Sequence, residues 1–458
     1  MEQETASPYG WKCHPEAARW LGEQIQQMSG ANGFIARLEE QMARQIGCTL
    51  FDWVDQIALA YESELVSRLE ALGFVVQVTT SRYRLFYHPG AQLPRVALYD
   101  DAHHGKGLYL KVESISDFLS VHGLSARIEG SPFSPLRRCC CSYEEEGSLW
   151  LLERRSQLSI DPVERKADQI ADYLHGEELW KSRPRRGEDE EALMGAALSR
   201  AEQLVQLLGR DVAAWLILAC ERHYWQTRNR AGQIQKNRQD RLGLGWGNHD
   251  HHTFRSSRRL FGQLVRLFEM VGFHCRERFY AGKEAGWGAQ VMENERCGLV
   301  LFLDVDLSPE ELAIDFAHQP LAEKGALATI GLWCALHGDS ILEAGMHHLE
   351  AQFAFELLEE QLKEEGVGMM APFSHFSYLK QAFTEGEWWS VHPWRIEKLL
   401  QQGAIDEKQA ERFLTHGAIG SHMENLERKE GYKGFNQKNV STIIRKTDPR
   451  RFEKGDPL

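Results

Sequence analysis

Three histidines and an arginine lie close together in one short segment, Asn248–Arg255, which reads NHDHHTFR. If this segment is a β-strand, alternate side chains share a face. One face then carries His249, His251, Thr253 and Arg255, and the other face carries His252. Imidazole is a frequent ligand of divalent transition metals, and a guanidinium binds a carboxylate through two hydrogen bonds. The segment therefore predicts a metal site beside a carboxylate-binding group, with His251 or His249 as the ligand.

A second segment repeats this chemistry about a hundred residues later. His347 and His348 open it, and Glu385 and Glu387 share a face on its last predicted strand. Two histidines and one carboxylate form the facial triad of non-haem Fe(II) oxygenases, which leaves coordination positions open for substrate and dioxygen. The two segments together predict a triad drawn from distant parts of the chain.

Apolar periodicity indicates the elements that carry these residues. The first unit is a strand at 247–254, a helix at 257–271, and strands at 274–280, 287–293 and 299–305. The second unit is a strand at 346–353, a helix at 354–365, and extended segments at 369–373 and 379–389, after a helical bridge at 308–342. We therefore predict an α+β fold in which two βαβββ modules form a cupped sheet around a metal.

Paired modules with ligands on their first strands resemble the vicinal oxygen chelate superfamily and, more distantly, the 2-oxoadipate dioxygenase/decarboxylase family. That family has a His-Gly-Ala-Ile-Arg strand and a helix ending in Phe-x-x-Met-Gly, which are similar to His251–Arg255 and Phe268–Gly272. Its Asn-His-Leu-Thr-Pro-Arg and Phe-Gly-Glu-Ile-Glu motifs resemble His347–Gln352 and Phe383–Glu387, with a Pro-led helix after Pro393. The resemblance covers roughly residues 243–402, about a third of the chain.

The resemblance implies a set of site residues. Carried over position by position, the metal ligands are His251, His348 and Glu385, and the metal is Fe(II). Arg255 would grip a substrate carboxylate, and Gln352, which stands where the family has an arginine, is a candidate for substrate binding. Apart from the resemblance, His249 is a candidate for catalysis because it shares a strand face with His251, and Gln290 on a neighbouring strand is a candidate for substrate binding. The implied reaction is the oxidative decarboxylation and hydroxylation of a 2-oxo acid by dioxygen.

Two other functions remain open from the sequence. The same fold can hold Zn, Ni or Mn and catalyse an isomerase, lyase or hydrolase reaction. Alternatively, the histidines are structural and the chain is a non-catalytic ligand-binding protein.

The sequence outside the two modules suggests three further segments of the chain. Residues 1–180 are predicted to form an N-terminal α+β domain with helices over 15–72 and strands after them. A charged linker and long helices follow at 181–242, and the paired modules occupy 243–418. Residues 419–458 are predicted to be a flexible tail, because they are polar and because Gly420–Met423 (GSHM) looks like an expression-vector remnant.

Composition narrows the classes of partner. With a net charge of −13, the chain of 458 residues is a poor binder of nucleic acid or anionic membranes. No apolar run reaches the ~20 residues of a membrane span, and the first ten residues do not form a signal peptide. The nine cysteines form no paired framework, which is typical of reduced thiols. We expect a cytoplasmic enzyme that binds a small carboxylate and dioxygen, and a homodimer is compatible with these features.

Overall fold

Two twisted sheets, joined by a group of helices, make up the protein. The structure is a computed structural model and describes residues 10–101, 105–283, 285–436 and 448–450. The first sheet has seven strands and the second has eight, and two further short strands pair with each other. One continuous apolar core includes residues from both sheets and from the helices between them.

The first sheet lies in the N-terminal third of the chain. Its elements are α1 (Pro15–Ala31), α2 (Gly33–Ile46), β1 (Val54–Ala60), α3 (Ser63–Ala71), β2 (Val75–Thr79), β3 (Tyr83–Tyr87), β4 (Arg95–Tyr99), β5 (Gly107–Lys111), α4 (Ile115–Val121), β6 (Leu136–Ser142) and β7 (Ser148–Arg154). The strand order is β2-β3-β4-β1-β5-β7-β6. The prediction of continuous helices over 15–72 is wrong at β1, which is the central strand.

Strand β1 was mistaken for a helix because it is buried on both faces. Gln56, Ile57 and Ala58 are fully buried, so the apolar residues do not alternate with polar ones. A short apolar run of this kind cannot be assigned to helix or strand by periodicity alone. With β1 in place, β1-α3-β2-β3-β4 is a βαβββ module whose first strand pairs in parallel with its fourth.

Four helices follow: α5 (Ala167–Lys181), α6 (Glu190–Leu208), α7 (Arg210–Gln226) and α8 (Arg230–Asp240). The charged segment between α5 and α6, predicted to be a linker, is anchored to this group. Arg183 and Arg185 both form ion pairs with Glu221 on α7, at 2.7 and 2.6 Å. Their charges are therefore compensated inside the protein, and the segment is not a free connection.

The second sheet carries the predicted site. This part of the chain consists of β8 (His249–Arg255), α9 (Phe261–Met270), β9 (His274–Tyr280), β10 (Trp287–Asn294), β11 (Leu299–Asp306), α10 (Thr329–His337), β12 (His348–Gln352), α11 (Phe355–Glu364), β13 (Ser374–Phe376), β14 (Leu379–Phe383), β15 (Trp388–Trp389), α12 (Pro393–Gln401), α13 (Glu407–His416), β16 (Ala418–Ile419) and β17 (His422–Arg428). Of these strands, β15 and β16 pair only with each other and lie outside the second sheet. The order is β13-β14-β17-β12-β8-β11-β10-β9. Each half is a βαβββ module with its first and fourth strands parallel, and β8 and β12 meet antiparallel at the centre. The predicted pair of modules is confirmed.

The fourth strand of the second module is β17, which lies within the predicted flexible tail. It pairs with β12 on one side and β14 on the other, so it is an interior strand. The residues before it are also buried: Trp333 Nε1 donates to the Gly420 carbonyl, and Asn229 Nδ2 donates to Ser421 Oγ. The prediction of a flexible tail is therefore wrong for this segment, and Gly420–Met423 is part of the fold.

The sequence does not reveal β17 as the closing strand because four elements are inserted between the third and fourth strands of this module, namely β15, α12, α13 and β16.

Among the described residues, no helix is long and apolar enough to cross a membrane.

Candidate metal centre

A β-bulge in β8 decides which of its histidines share a face. His251 lies opposite Glu350 on β12, but His249 lies opposite the next residue, Ala351, so Asp250 is the extra residue of the bulge. A bulge breaks the alternation of side chains at one point. His251, Thr253 and Arg255 therefore keep a common face, and His249 leaves it.

Four buried side chains converge on the concave face of the three central strands. They are His251 on β8, His348 and Glu350 on β12, and Glu424 on β17, and one ligand atom from each lies within 4.8 Å of the others. His251 Nε2 is 2.7 Å from Glu350 Oε2, and His348 Nε2 is 3.0 Å from Glu424 Oε2. All four residues are less than a tenth exposed. The sheet thus gathers two imidazoles and two carboxylates at one point.

The electrostatics of this cluster favour a cation. Neither carboxylate oxygen of Glu350 has a hydrogen-bonding donor in suitable geometry among the described residues, although both are buried. Burial raises the pKa of Glu350, and the neighbouring Glu424 carboxylate raises it further. Burial also raises the pKa of Glu424. Burial, followed by the effect of His251, lowers the pKa of His348 well below its ordinary value, which keeps that imidazole neutral. Glu424 accepts a hydrogen bond from Gln381 Nε2 at 3.0 Å. Two close, buried carboxylates are still costly unless a cation compensates their charge.

The bulge residue holds His251 in place. Asp250 accepts hydrogen bonds from Arg428 Nε and Nη2, both at 3.1 Å, and from Gln352 Nε2 at 2.9 Å. Asp250 Oδ1, which also accepts from Arg428 Nη2, lies 3.2 Å from His251 Nδ1. A ligating histidine whose second nitrogen binds a carboxylate has a fixed ring orientation. Gln352 therefore holds Asp250 in position. The prediction that Gln352 contacts the substrate does not agree with this placement outside the cup.

Aromatic and aliphatic side chains surround the cluster and form a closed cup. The buried members are Phe279, Ala281, Ala285, Trp287, Ala289, Val291, Phe302, Ile330, Trp333, Cys334, Ala344, Phe373 and Phe435. Phe435 lies after β17 and contacts the His251 ring edge-on, with centroids 5.3 Å apart. The chain that leaves β17 thus folds back over the cluster and covers it.

Arg255 lies on the same face as His251 and Thr253, as predicted. Its guanidinium carbon is 5.2 Å from the centre of the Trp333 ring, and its Nε has no hydrogen-bond acceptor among the described residues. Burial raises the pKa of Asp304, which faces it, to about 7, although Arg255 opposes this shift. The cup therefore contains a buried guanidinium with hydrogen-bonding capacity left over.

The structure does not bring several predicted site residues to the cluster. His249 lies on the opposite face, where its Nε2 is 3.3 Å from Lys111 Nζ. Glu385 is exposed and lies against Gly368, and Glu387 accepts a hydrogen bond from the Arg230 backbone. Gln290 points away from the cup, because its neighbours Ala289 and Val291 line it.

The structure brings other carboxylates to the two histidines than the predicted Glu385. Glu424 on β17 occupies the place for which Glu385 was predicted, since the closing strand is β17 and not the segment at 379–389. Glu350 could have been found from the sequence, because it follows His348 at the two-residue spacing that puts both on one face of a strand.

The order and pairing of the strands in the second sheet are those of the two βαβββ modules that the sequence predicted. Several solved structures are similar to the chain at low identity and low TM-score. A triple variant of 4-hydroxymandelate synthase from Streptomyces coelicolor is 12% identical, with a TM-score of 0.26, over 87% of this chain and 97% of that one. Methylmalonyl-CoA epimerase from Mycobacterium tuberculosis is 10% identical, with a TM-score of 0.23, over 40% of this chain and 88% of that one. A variant of the Streptomyces coelicolor epimerase is 14% identical, with a TM-score of 0.21, over 40% and 97%. No protein-family model and no curated protein matches the chain.

Proposed function

We propose that the protein is a mononuclear metal-dependent enzyme that acts on a small carboxylate inside the second sheet. The observation that carries this proposal is the convergence of His251, His348, Glu350 and Glu424 around two carboxylate oxygens without donors. Nitrogen and oxygen donors of this kind suit Fe, Zn, Mn or Ni, and the donor set contains no thiolate.

The favoured reaction is that of an Fe(II) dioxygenase acting on a 2-oxo acid. His251, His348 and Glu424 supply the two imidazoles and one carboxylate of a facial triad. Iron held there would supply the redox chemistry for activating dioxygen and decarboxylating the substrate. This set of ligands differs from the one implied by the resemblance only in its carboxylate, which is Glu424 and not Glu385.

The chain's own groups would bind and enclose the substrate. Arg255 is placed to bind a carboxylate through two hydrogen bonds, and Trp333 supports its guanidinium from one side. Phe302 and Phe435 pack against His251 and would exclude water from the reacting atoms. Asp250 would keep His251 Nδ1 in a fixed orientation.

Glu350 supports a second candidate, a proton-transfer reaction in an isomerase, lyase or hydrolase that uses Zn, Ni or Mn. The facial triad does not need a second carboxylate, yet Glu350 is buried beside it. Its Oε2 lies 2.7 Å from His251 Nε2, and neither of its oxygens accepts a well-formed hydrogen bond from the described residues. A carboxylate whose pKa is raised by burial can accept and return a proton near neutral pH. In this reading Glu350 is the base and Arg255 orients the substrate.

Metal content and dioxygen consumption would separate these candidates. The protein would be purified without oxygen and assayed for metal, and then tested for dioxygen uptake with a series of 2-oxo acids. About one iron per chain and substrate-dependent uptake are expected, and Glu350→Gln should retain the uptake. Zn, Ni or Mn without uptake, with proton exchange lost in Glu350→Gln, would support the second candidate. A protein that retains no metal at equimolar concentration would contradict both.

A further inference from the structure

Outside the cup, a second group of metal-ligating side chains lies at the edge of the first module of this sheet. It consists of Glu269 on α9, Cys275 on β9 and His318 in the connection after β11, and one ligand atom from each lies within 4.8 Å of the others. These residues come from three separate segments, and none belongs to the cup. From this geometry we propose a second, thiolate-containing site for a thiophilic divalent cation such as Zn²⁺.

His318 is held in position by the turn that carries it. Its backbone N–H donates to the Asp315 carbonyl at 3.0 Å, and Phe316 inside the same turn is fully buried. Its Nδ1 lies 2.7 Å from the Asp315 carboxylate, and its Nε2 points toward Glu269 at 2.8 Å. A carboxylate on one imidazole nitrogen orients the other nitrogen for a metal, as in carboxylate–histidine–zinc arrangements.

Cys275 and Glu269 complete the donor set. Arg276, next to Cys275, is the extra residue of a bulge between β9 and β10, and bulges redirect neighbouring side chains. Glu269 lies in the last turn of α9, where the helix dipole disfavours a negative charge. Cys275 is half-buried, and the negative charges of Glu269 and Asp315 lie close to its thiol. The position of Glu269 at the helix end and the negative charges near Cys275 favour positive charge at this point, part of which Arg278 supplies through its ion pair with Asp315.

Sulfur, imidazole nitrogen and carboxylate oxygen together match Zn²⁺, which commonly has four ligands. Three come from the protein, and the fourth position is left for water. Such an ion would join α9, β9 and the connection between β11 and α10, and so would fix that connection to the module. Its role would be structural, because Cys275, Glu269 and His318 do not belong to the cup.

Co²⁺ is a suitable probe because a Co²⁺–thiolate bond gives a near-ultraviolet charge-transfer band that histidine and carboxylate ligands do not. Metal-free protein would be titrated with Co²⁺ and then with Zn²⁺, as wild type and as Cys275→Ser, Asp315→Asn and Cys140→Ser. The last variant is the control, because Cys140 is also half-buried but lies on β6.

We expect the band to appear at one Co²⁺ per site in wild type and Cys140→Ser and to be displaced by Zn²⁺. It should be absent in Cys275→Ser, and affinity should fall about 10–100-fold in Asp315→Asn, as is usual when the carboxylate behind a ligating histidine is removed. A wild-type protein without the band would overturn the proposal, as would a band of equal strength in Cys275→Ser. The His251 cluster does not affect this result, since its four donors include no sulfur.

Discussion

The two sheets have the same arrangement of strands but carry different side chains on their concave faces. In the first sheet, β5 and β7 also pair in parallel, and β1 and β5 meet antiparallel at the centre, as β8 and β12 do in the second. An isolated bridge between Glu129 and Arg138 stands where the missing strand of that module would pair. The N-terminal sheet is therefore a second pair of βαβββ modules, one of them incomplete.

The correspondence between the sheets extends to single residues. A bulge in β1 at Asp55 matches the bulge at Asp250, because Gln56 pairs with Tyr109 and Val54 with Leu110. Asp55 binds Arg154 at the end of β7, and Asp250 binds Arg428 at the end of β17. Both arginines also donate to carbonyl groups of the chain that follows them. The ion pair at the bulge therefore belongs to the architecture.

The four positions of the proposed metal cluster, by contrast, differ between the sheets. The pairing registers place Gln56, Gly107, Tyr109 and Trp150 where the second sheet has His251, His348, Glu350 and Glu424. Tyr109 and Trp150 stack with their rings 5.3 Å apart. Ile160, which follows β7 as Phe435 follows β17, belongs to the same buried cluster as Tyr109. The aspartate–arginine pair at the bulge, which both sheets have, therefore supports the fold. The four cluster residues, which only the second sheet has at these positions, would bind a metal.

The largest expected effect comes from changing the same position in each sheet. His251→Ala should lower metal affinity at least about 100-fold, because loss of a ligand costs more than loss of the group behind it. Gln56→Ala should leave the metal content unchanged, because the described part of its sheet contains no group of metal-ligating side chains. Elemental analysis after dialysis at equal metal concentration checks this, with circular dichroism to confirm folding. Equal losses in both variants would contradict the division between the sheets.

Breaking the shared ion pair should destabilise the protein in either sheet. Asp55→Asn and Asp250→Asn each leave a buried guanidinium without its partner, which costs about 3–5 kcal/mol. Only Asp250→Asn should also weaken metal binding, by about 10–100-fold, since only Asp250 orients a ligand. Denaturant unfolding and metal titration measure the two effects. Metal loss in Asp55→Asn would show that the sheets are more closely coupled than we infer.

The side chains that close the two cups should differ in a kinetic experiment. Phe435→Ala and Ile160→Ala should each cost about 2–5 kcal/mol in the free energy of unfolding, as large-to-small substitutions in a core do. Phe435→Ala should in addition speed the removal of bound metal by a chelator, because Phe435 covers His251. Rates of metal release at a fixed chelator concentration test this. Equal rates in the wild type and Phe435→Ala would indicate another route to the cluster.

Acid should weaken the first sheet through the same ion pair. Burial opposes ionisation of Asp55, but Arg154 and Arg95 lower its pKa to about 2. Because the unfolded chain has a value near 3.9, the stabilisation is complete above about pH 4 and disappears as the pH falls toward 2, a loss of about 2–3 kcal/mol. Unfolding measured at a series of pH values should show this component in wild type and not in Asp55→Asn. An identical pH dependence in both would assign the acid sensitivity to other groups.

How much the sequence could predict depends on local pattern. The second pair of modules was predictable because β8 and α9 have distinct periodicities and the histidines mark both first strands. The first pair was not, because β1 is buried on both faces and its ligand positions carry no metal-binding residue. The bulge at Asp250 also has no simple pattern, so His249 could not be separated from His251. Glu424 was hidden by the inserted helices, which moved the closing strand about forty residues beyond its expected place.

The smallest expected effect concerns Glu385, which the sequence favoured over Glu424. Glu385 is exposed, so Glu385→Gln should change the free energy of unfolding by less than about 0.5 kcal/mol and leave metal content unaltered. Glu424→Gln should release the metal, because its carboxylate lies 3.0 Å from His348 on the concave face. The pair makes a matched test, since each substitution removes one carboxylate charge from the same module. If Glu385→Gln alone released the metal, β17 would have only a structural role, and the four-residue cluster would not be the metal centre.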